Sequence, residues 1–208
     1  MEDRYHLEKE CISEGYNIIA GVDEVGRGAL AGPLLAGAVV FDIKKKLDFI
    51  DCIKDSKKMT AKERKKIAKL IQENACDYAF GSVNNFEIDT VGVGSANVLA
   101  FKRALSSLKK FEIAIIDGNH FKGLDCEYKC YIKGEDKSLS IAVASIIAKV
   151  KRNEMMECYK GGDIYGFASN KGYGSAAHLA ALKKFGHSDL HRKSFLPKDI
   201  FQKQIKFM

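Results

Sequence analysis

The sequence predicts an α/β layered fold. Short apolar runs of strand length alternate with longer stretches of helical spacing. No composition break divides the 208 residues, a length that suits one domain. We read 1–208 as a single domain, with residues from about 161 to 208 forming a substrate-contacting loop and a helical appendage.

The elements follow in order. Residues 5–15 read as a short leading helix or an extended arm. Tyr16–Asp23 is a buried strand that turns polar at Asp23 and Glu24, and Leu34–Phe41 is a second apolar strand. The glycine-rich turn between them predicts antiparallel pairing. From Ser56, Thr60 followed by Glu63 fits a capping box, and Ile67, Leu70 and Ile71 keep helical spacing with lysines on the other face. Asp77–Val83 is a third strand and Asp89–Lys110 a helix with Val98, Leu99, Phe101 and Leu105 inward. Glu112–Asp117 is a strand ending in a carboxylate, and Glu127–Ile132 is the fifth. Ser138–Tyr159 is a long helix whose small residues around Ala142–Ala148 allow close packing on the sheet. Residues 161–175 read as a glycine-rich loop, Ser175–Phe185 as a helix and 197–206 as a final short one.

Composition narrows the class. Hydrophobic residues make up 46% and charged residues 29%, which is ordinary for a globular protein. No apolar run approaches the ~18 residues of a membrane span; the longest, Ala29–Phe41, is broken by Gly32, Pro33 and Gly37. The charged start MEDRYHLEKE lacks the order of a signal peptide. We expect a soluble, cytoplasmic monomer. Lys and Arg number 34 against 27 Asp and Glu, a net charge of +7, and a basic chain attracts polyanions, nucleic acid foremost. The six cysteines lack the paired spacing of a zinc site and read as free thiols.

Two segments carry chemistry. Asp23 and Glu24 sit at one strand end and Asp117 ends another. Asp117 by itself, before Gly118-Asn119, reads as a turn residue, and Asp23-Glu24 by itself is evenly balanced. Together with the glycines that follow, they read as a site. Neighbouring carboxylates repel, and a hard divalent cation offsets that repulsion. A carboxylate set without His or Cys points to Mg²⁺ or Mn²⁺ rather than zinc, and suits two-metal phosphoryl transfer. The second segment, Gly26–Pro33, places Arg27 between two glycines. A tight turn explains the glycines but not the arginine.

The chain resembles the bacterial ribonuclease HII family. The resemblance rests on GVDEVGRGALAGP at 21–33, DSKKMT at 55–60, IIDGN at 115–119, SIAVASIIAKVKR at 140–152, YGFASNKGYGS at 165–175 and HRKSF at 191–195. It implies a ribonuclease H-like fold, a five-stranded mixed sheet flanked by helices, with a C-terminal helical segment. It also implies metal-dependent cleavage of the RNA strand of RNA–DNA hybrids and incision 5′ to ribonucleotides embedded in duplex DNA. The products would be a 5′-phosphate and a 3′-hydroxyl, with two Mg²⁺ or Mn²⁺ ions in turnover.

By the resemblance, Asp23, Glu24 and Asp117 are metal-binding carboxylates. The family usually has Asp as the fourth; here Lys133-Gly134 is followed by Glu135 and Asp136. Counting back from the SIAVASIIAKV segment selects Glu135, with Asp136 as the alternative. The sister family, ribonuclease HIII, uses Glu there but lacks Arg in the glycine motif. Gly26, Arg27 and Gly28 correspond to the backbone that reads the 2′-hydroxyl, and Tyr173 to the tyrosine stacked beside the ribose. Lys57, Arg192 and Lys193 are further candidates for nucleic-acid contact. His191 reads as structural rather than as a base, and Asn153 has no catalytic role. Gly92 stands where relatives usually have Asn. The tail QKQIKF at 202–207 faintly resembles sliding-clamp binding peptides, although an amphipathic terminal helix is the better reading.

Overall fold

Three consecutive strands, joined by a glycine turn and a helix, build the sheet from one edge to its centre. The computed structural model describes residues 4–44, 49–50, 53, 59–119 and 121–200. Strands β1 (Ile19–Val25), β2 (Leu34–Val40) and β3 (Asp77–Val83) pair antiparallel. β4 (Ile113–Asp117) then pairs parallel with β1, and β5 (Tyr128–Tyr131) parallel with β4. The described residues therefore form a five-stranded mixed sheet of order β3-β2-β1-β4-β5, with β1 at its centre.

Both faces of β1 and β2 are covered, which is why these strands read as continuous apolar runs rather than alternating ones. Helix α1 (His6–Ser13) precedes the sheet, α2 (Ala61–Asn74) follows β2, and α3 (Asn85–Ser106) packs on one face. There Ala20, Val22, Ala36 and Ala38 meet Ala96, Ala100, Phe101 and Ala104. α4 (Leu139–Glu157) covers the other face together with α2, around Val39, Ile67, Ile71, Val143 and Ile147. The approach is close. A Cβ on Gly21 would stand 2.1 Å from the Ser140 carbonyl carbon, and one on Gly81 2.0 Å from the Ala100 oxygen. α1 is tied down through Glu8, whose carboxylate accepts from Ser138 Oγ at 2.7 Å and Ser140 N at 2.8 Å.

Three elements differ from the sequence expectation. α3 begins at Asn85, four residues earlier than expected, because Asn84 and Glu87 form a reciprocal capping box. It is broken at Gly92, where φ is +77°, a value that glycine alone adopts freely. The expected loop 161–175 instead winds into a 3₁₀ turn (Gly162–Tyr165) and a short helix α5 (Phe167–Asn170). Tyr165 and Phe167 drive this by burying their rings beside Leu182 and Leu196. Finally, β1 runs on to Val25, two residues past the expected end at Asp23, so Glu24 also lies within the strand. α6 (Ala176–Phe185) matches its prediction closely. Of the expected helix at 197–206, residues 198–200 are helical and the remainder, with the clamp-like tail, lies outside the described residues.

Candidate active site

Parallel pairing of β1 with β4 brings two carboxylate-bearing strand ends side by side. Ile19–Val22 align with Ile113–Ile116, so Asp23 and Asp117 follow in adjacent positions on neighbouring strands. Asp23 is only 7% exposed. Burial, and then repulsion from Glu24, push its pKa up to about 7; Asp117 adds to the rise, while Ser145 and Lys149 oppose it. The Glu24 carboxyl is also raised, first by burial, with Arg27 opposing and Asp117 reinforcing. Three acids thus sense one another in a poorly solvated place.

Each carboxylate has a local donor. Asp23 receives a hydrogen bond from Ser145, and Asn97 donates to Glu24. Arg27 approaches Glu24 at 3.8 Å. Asp117 accepts from Gly134 N at 2.8 Å, which draws the turn bearing Glu135 against β4. Lys149 Nζ lies 4.0 Å from Glu135 and donates to Ser145 Oγ at 2.7 Å. Glu135 is partly buried and Asp136 exposed, so of the two it is Glu135 that turns toward Lys149. With the acids drawn to these donors, the described residues contain no group of three His, Cys, Asp or Glu side chains placed to hold an ion. The chemistry of the set nevertheless fits a hard cation: all-oxygen donors, partly desolvated, with mutual repulsion left to be neutralised.

Beside the acids, the glycine turn is held by two buried arginines. Arg152 donates from Nε to Pro33 O at 2.8 Å, and also to Lys171 O at 2.8 Å and Ala31 O at 3.2 Å. Arg192 donates to Gly32 O at 3.0 Å and Arg27 O at 2.9 Å. The KGYG segment closes against the same turn, with Leu30 N donating to Gly172 O at 2.8 Å. Tyr173 is 42% exposed, and its ring lies 5.4 Å from the Arg152 guanidinium carbon. Carboxylates, glycine turn and tyrosine therefore share one end of the sheet.

The candidates divide as follows. Asp23, Glu24, Asp117, Glu135, Gly26, Arg27, Gly28 and Tyr173 gather at this end. Lys193 is exposed, its backbone N–H held by Asp89 at 2.9 Å. Lys57 lies outside the described residues. Arg192 corrects the expectation of a surface cation: it is fully buried and donates from Nε and Nη1 to backbone carbonyls. His191 is likewise buried, bonded to His178. Ser145, Lys149, Arg152, Asn97 and His178 were not singled out from sequence. Ser145 and Lys149 stand one helical turn apart, a spacing visible in the small-residue helix; nothing local marks the others.

A mixed five-stranded sheet with carboxylates on its central parallel pair, and helices on both faces, is the architecture of ribonuclease H-type nucleases. The solved ribonuclease H2 from Pyrococcus horikoshii OT3 superposes with a TM-score of 0.73 at 26% identity, covering 91% of this chain and 98% of that one. Two more distant structures share the fold: a PCNA–ribonuclease HII complex from Archaeoglobus fulgidus, at 22% identity and TM-score 0.73, and Bst ribonuclease HIII in complex with Mn²⁺, at 21% and 0.70. In sequence, ribonuclease HII of Clostridium acetobutylicum is 47% identical over 92% of this chain and 76% of its own length. That of Caldicellulosiruptor bescii is 40% identical over 94% of both. The family model for ribonuclease HII matches residues 20–198. The chain belongs to the ribonuclease HII family and is an endonuclease of the ribonuclease H type.

Proposed function

We propose that the enzyme cleaves the RNA strand of RNA–DNA hybrids and incises duplex DNA 5′ to an embedded ribonucleotide, leaving a 5′-phosphate and a 3′-hydroxyl. The observation that carries this reading is the meeting of Asp23, Glu24 and Asp117 with the Gly26–Gly28 turn and Tyr173 at one end of the sheet. A nuclease that distinguishes RNA from DNA must sense the 2′-hydroxyl, and this end offers exposed backbone and an aromatic ring beside the acids.

Mg²⁺ or Mn²⁺ ions, held by Asp23, Glu24, Asp117 and Glu135, would activate the attacking water and neutralise charge on the leaving 3′-oxygen. The protein's own residues set the frame. Ser145 and Lys149 hold Asp23 and Glu135 on the α4 side, and Gly134 N–H fixes Asp117. Gly28 is exposed with nothing within 4 Å of where a Cβ would stand, so a ribose can approach its backbone closely. Arg27, 61% exposed in its side chain, and Lys193 supply positive charge for flanking phosphates. Tyr173 presents its ring face to the sugar at the junction.

The test is cleavage of a DNA duplex carrying one ribonucleotide, with Mg²⁺, Mn²⁺ or chelator, beside an all-DNA duplex and a long RNA–DNA hybrid. Metal-dependent incision 5′ to the ribonucleotide, with the all-DNA duplex intact, is the expected result. Cleavage of the long hybrid only would overturn the junction reading and the roles given to Arg27 and Tyr173.

A further inference from the structure

His178 and His191 form a buried chain whose direction the backbone dictates. Both rings are shielded, at 0% and 1% exposure, and their Nε2 atoms lie 2.9 Å apart. At one end, Ser188 N donates to His191 Nδ1 at 2.9 Å. At the other, His178 Nδ1 lies 2.9 Å from the Tyr173 carbonyl oxygen. A backbone N–H can only donate and a carbonyl can only accept. His191 is therefore unprotonated at Nδ1 and carries its proton on Nε2, which donates to His178 Nε2. His178 then carries its proton on Nδ1 and donates to Tyr173. Only this pair of neutral tautomers satisfies all three contacts. A further proton would set two N–H groups against each other, or displace the Ser188 N–H.

We propose that this chain is the positioning device for Tyr173, and so sets selectivity for the single-ribonucleotide junction. The inference rests on the ribose-reading role given to Tyr173 above. The His191 end is anchored to the glycine turn, since Arg192 N donates to Leu30 O at 2.8 Å and Gly32 N to Leu190 O at 2.9 Å. The His178 end sits in the first turn of α6, capped by Ser175 Oγ. Tyr165 and Phe167 pack their rings against the pair, at 4.6 Å from His191 and 5.3 Å from His178. Arg152 faces the Tyr173 ring while His178 holds its main chain. The tyrosine is thus fixed at both ends relative to the backbone that reads the same sugar. Neither histidine touches the carboxylates, so the chain acts through Tyr173 and not on the reacting atoms.

Two measurements decide the matter. In the first, ¹⁵N chemical shifts of the imidazoles in the whole protein near pH 7 report the tautomers. A neutral His178 protonated at Nδ1 and a neutral His191 protonated at Nε2 are expected; a charged ring, or the opposite tautomers, overturns the chain whatever the substrate. In the second, His178→Phe keeps the ring volume without the hydrogen bonds, and His178→Gln keeps a donor and an acceptor. His178→Phe should lose about 10- to 100-fold in single-ribonucleotide incision relative to long-hybrid cleavage, with His178→Gln recovering most of the ratio. A folded His178→Phe with the wild-type ratio overturns the proposal, and if that variant does not fold, the same ratio in His178→Ala takes its place with the same two outcomes. Wild-type protein that never cuts at a single ribonucleotide refutes the function reading instead, and leaves the imidazole measurement standing.

Discussion

Gly26 and Arg152 compete for one volume: a Cβ on Gly26 would stand 2.1 Å from the Arg152 Nε. Gly26 also has φ of +86°, so an L side chain there is strained as well as obstructed. The arginine cannot move aside without abandoning the carbonyls of Pro33, Ala31 and Lys171. Gly26→Ala should therefore cost at least about 2 kcal/mol. Gly28→Ala, with open space around it, should cost less than about 1 kcal/mol while impairing cleavage by crowding the sugar. Urea unfolding of both variants, beside junction cleavage, separates the two roles.

Arg192 and Lys193 are neighbours with opposite surroundings. Arg192→Met removes donors from the Gly32 and Arg27 carbonyls in a buried place, so destabilisation of about 2–4 kcal/mol is expected. Lys193→Ala leaves stability within about 0.5 kcal/mol. It should weaken hybrid binding and lower the salt dependence of log K by about one unit. Denaturation curves and binding isotherms at several salt concentrations check both outcomes.

Asp117→Asn keeps an oxygen for the Gly134 N–H and removes only the charge. The protein should fold normally and lose on the order of 10²–10³-fold in turnover or more. Thermal denaturation with and without Mn²⁺ gives a second readout: the ion should raise the Tm of the wild type and do little for the variant. Full activity in Asp117→Asn would remove the acid from the site.

Asp23→Asn should stabilise the metal-free protein near neutral pH while abolishing cleavage. The wild-type acid is buried beside Glu24 and Asp117, and its neutral isostere carries no such repulsion. A gain of about 1–3 kcal/mol is expected in chelator-treated protein. Equal or lower stability in the variant would mean that Ser145 and Lys149 already compensate the charge.

The histidine pair gives the protein an acid limit. Burial, then repulsion from His178, lowers the His191 pKa from 6.5 to about 4, and His187 adds to the fall. The native state disfavours a proton that the unfolded chain accepts. The stability held by the neutral ring is present above pH 6.5 and is lost as pH falls toward 4. The loss is on the order of 3 kcal/mol. His191→Gln should flatten the slope of unfolding free energy across that window.

Much of this was legible because the physics was local. The runs at Leu34–Phe41 and Asp77–Val83 had strand length and apolar content, and Thr60 with Glu63 announced the start of α2. The three acids were legible because charge at the end of an apolar strand is costly without a partner. The early start of α3 was missed although Asn84 and Glu87 carry the same capping signal as Thr60 and Glu63, because Gly92 and Gly94 mask the helical pattern behind it. Arg192 was misread because a basic residue in a basic chain looks like surface; only the long-range approach of Gly32 and Arg27 reveals a buried clamp. His178 and Arg152 depend on contacts far apart in the chain, at which no spacing hints.

The central position of β1 has a consequence for the enzyme's birth. The β1–β3 meander uses residues 19–83 and can pair as soon as it is synthesised. Asp23 and Glu24 then lie on a bare edge, because their parallel neighbour spans residues 113–117 and the helix bearing Ser145 and Lys149 comes later still. On the proposed ligand set, a nascent chain would stay silent until translation is largely over, and a fragment ending before residue 113 would carry two of the four carboxylates.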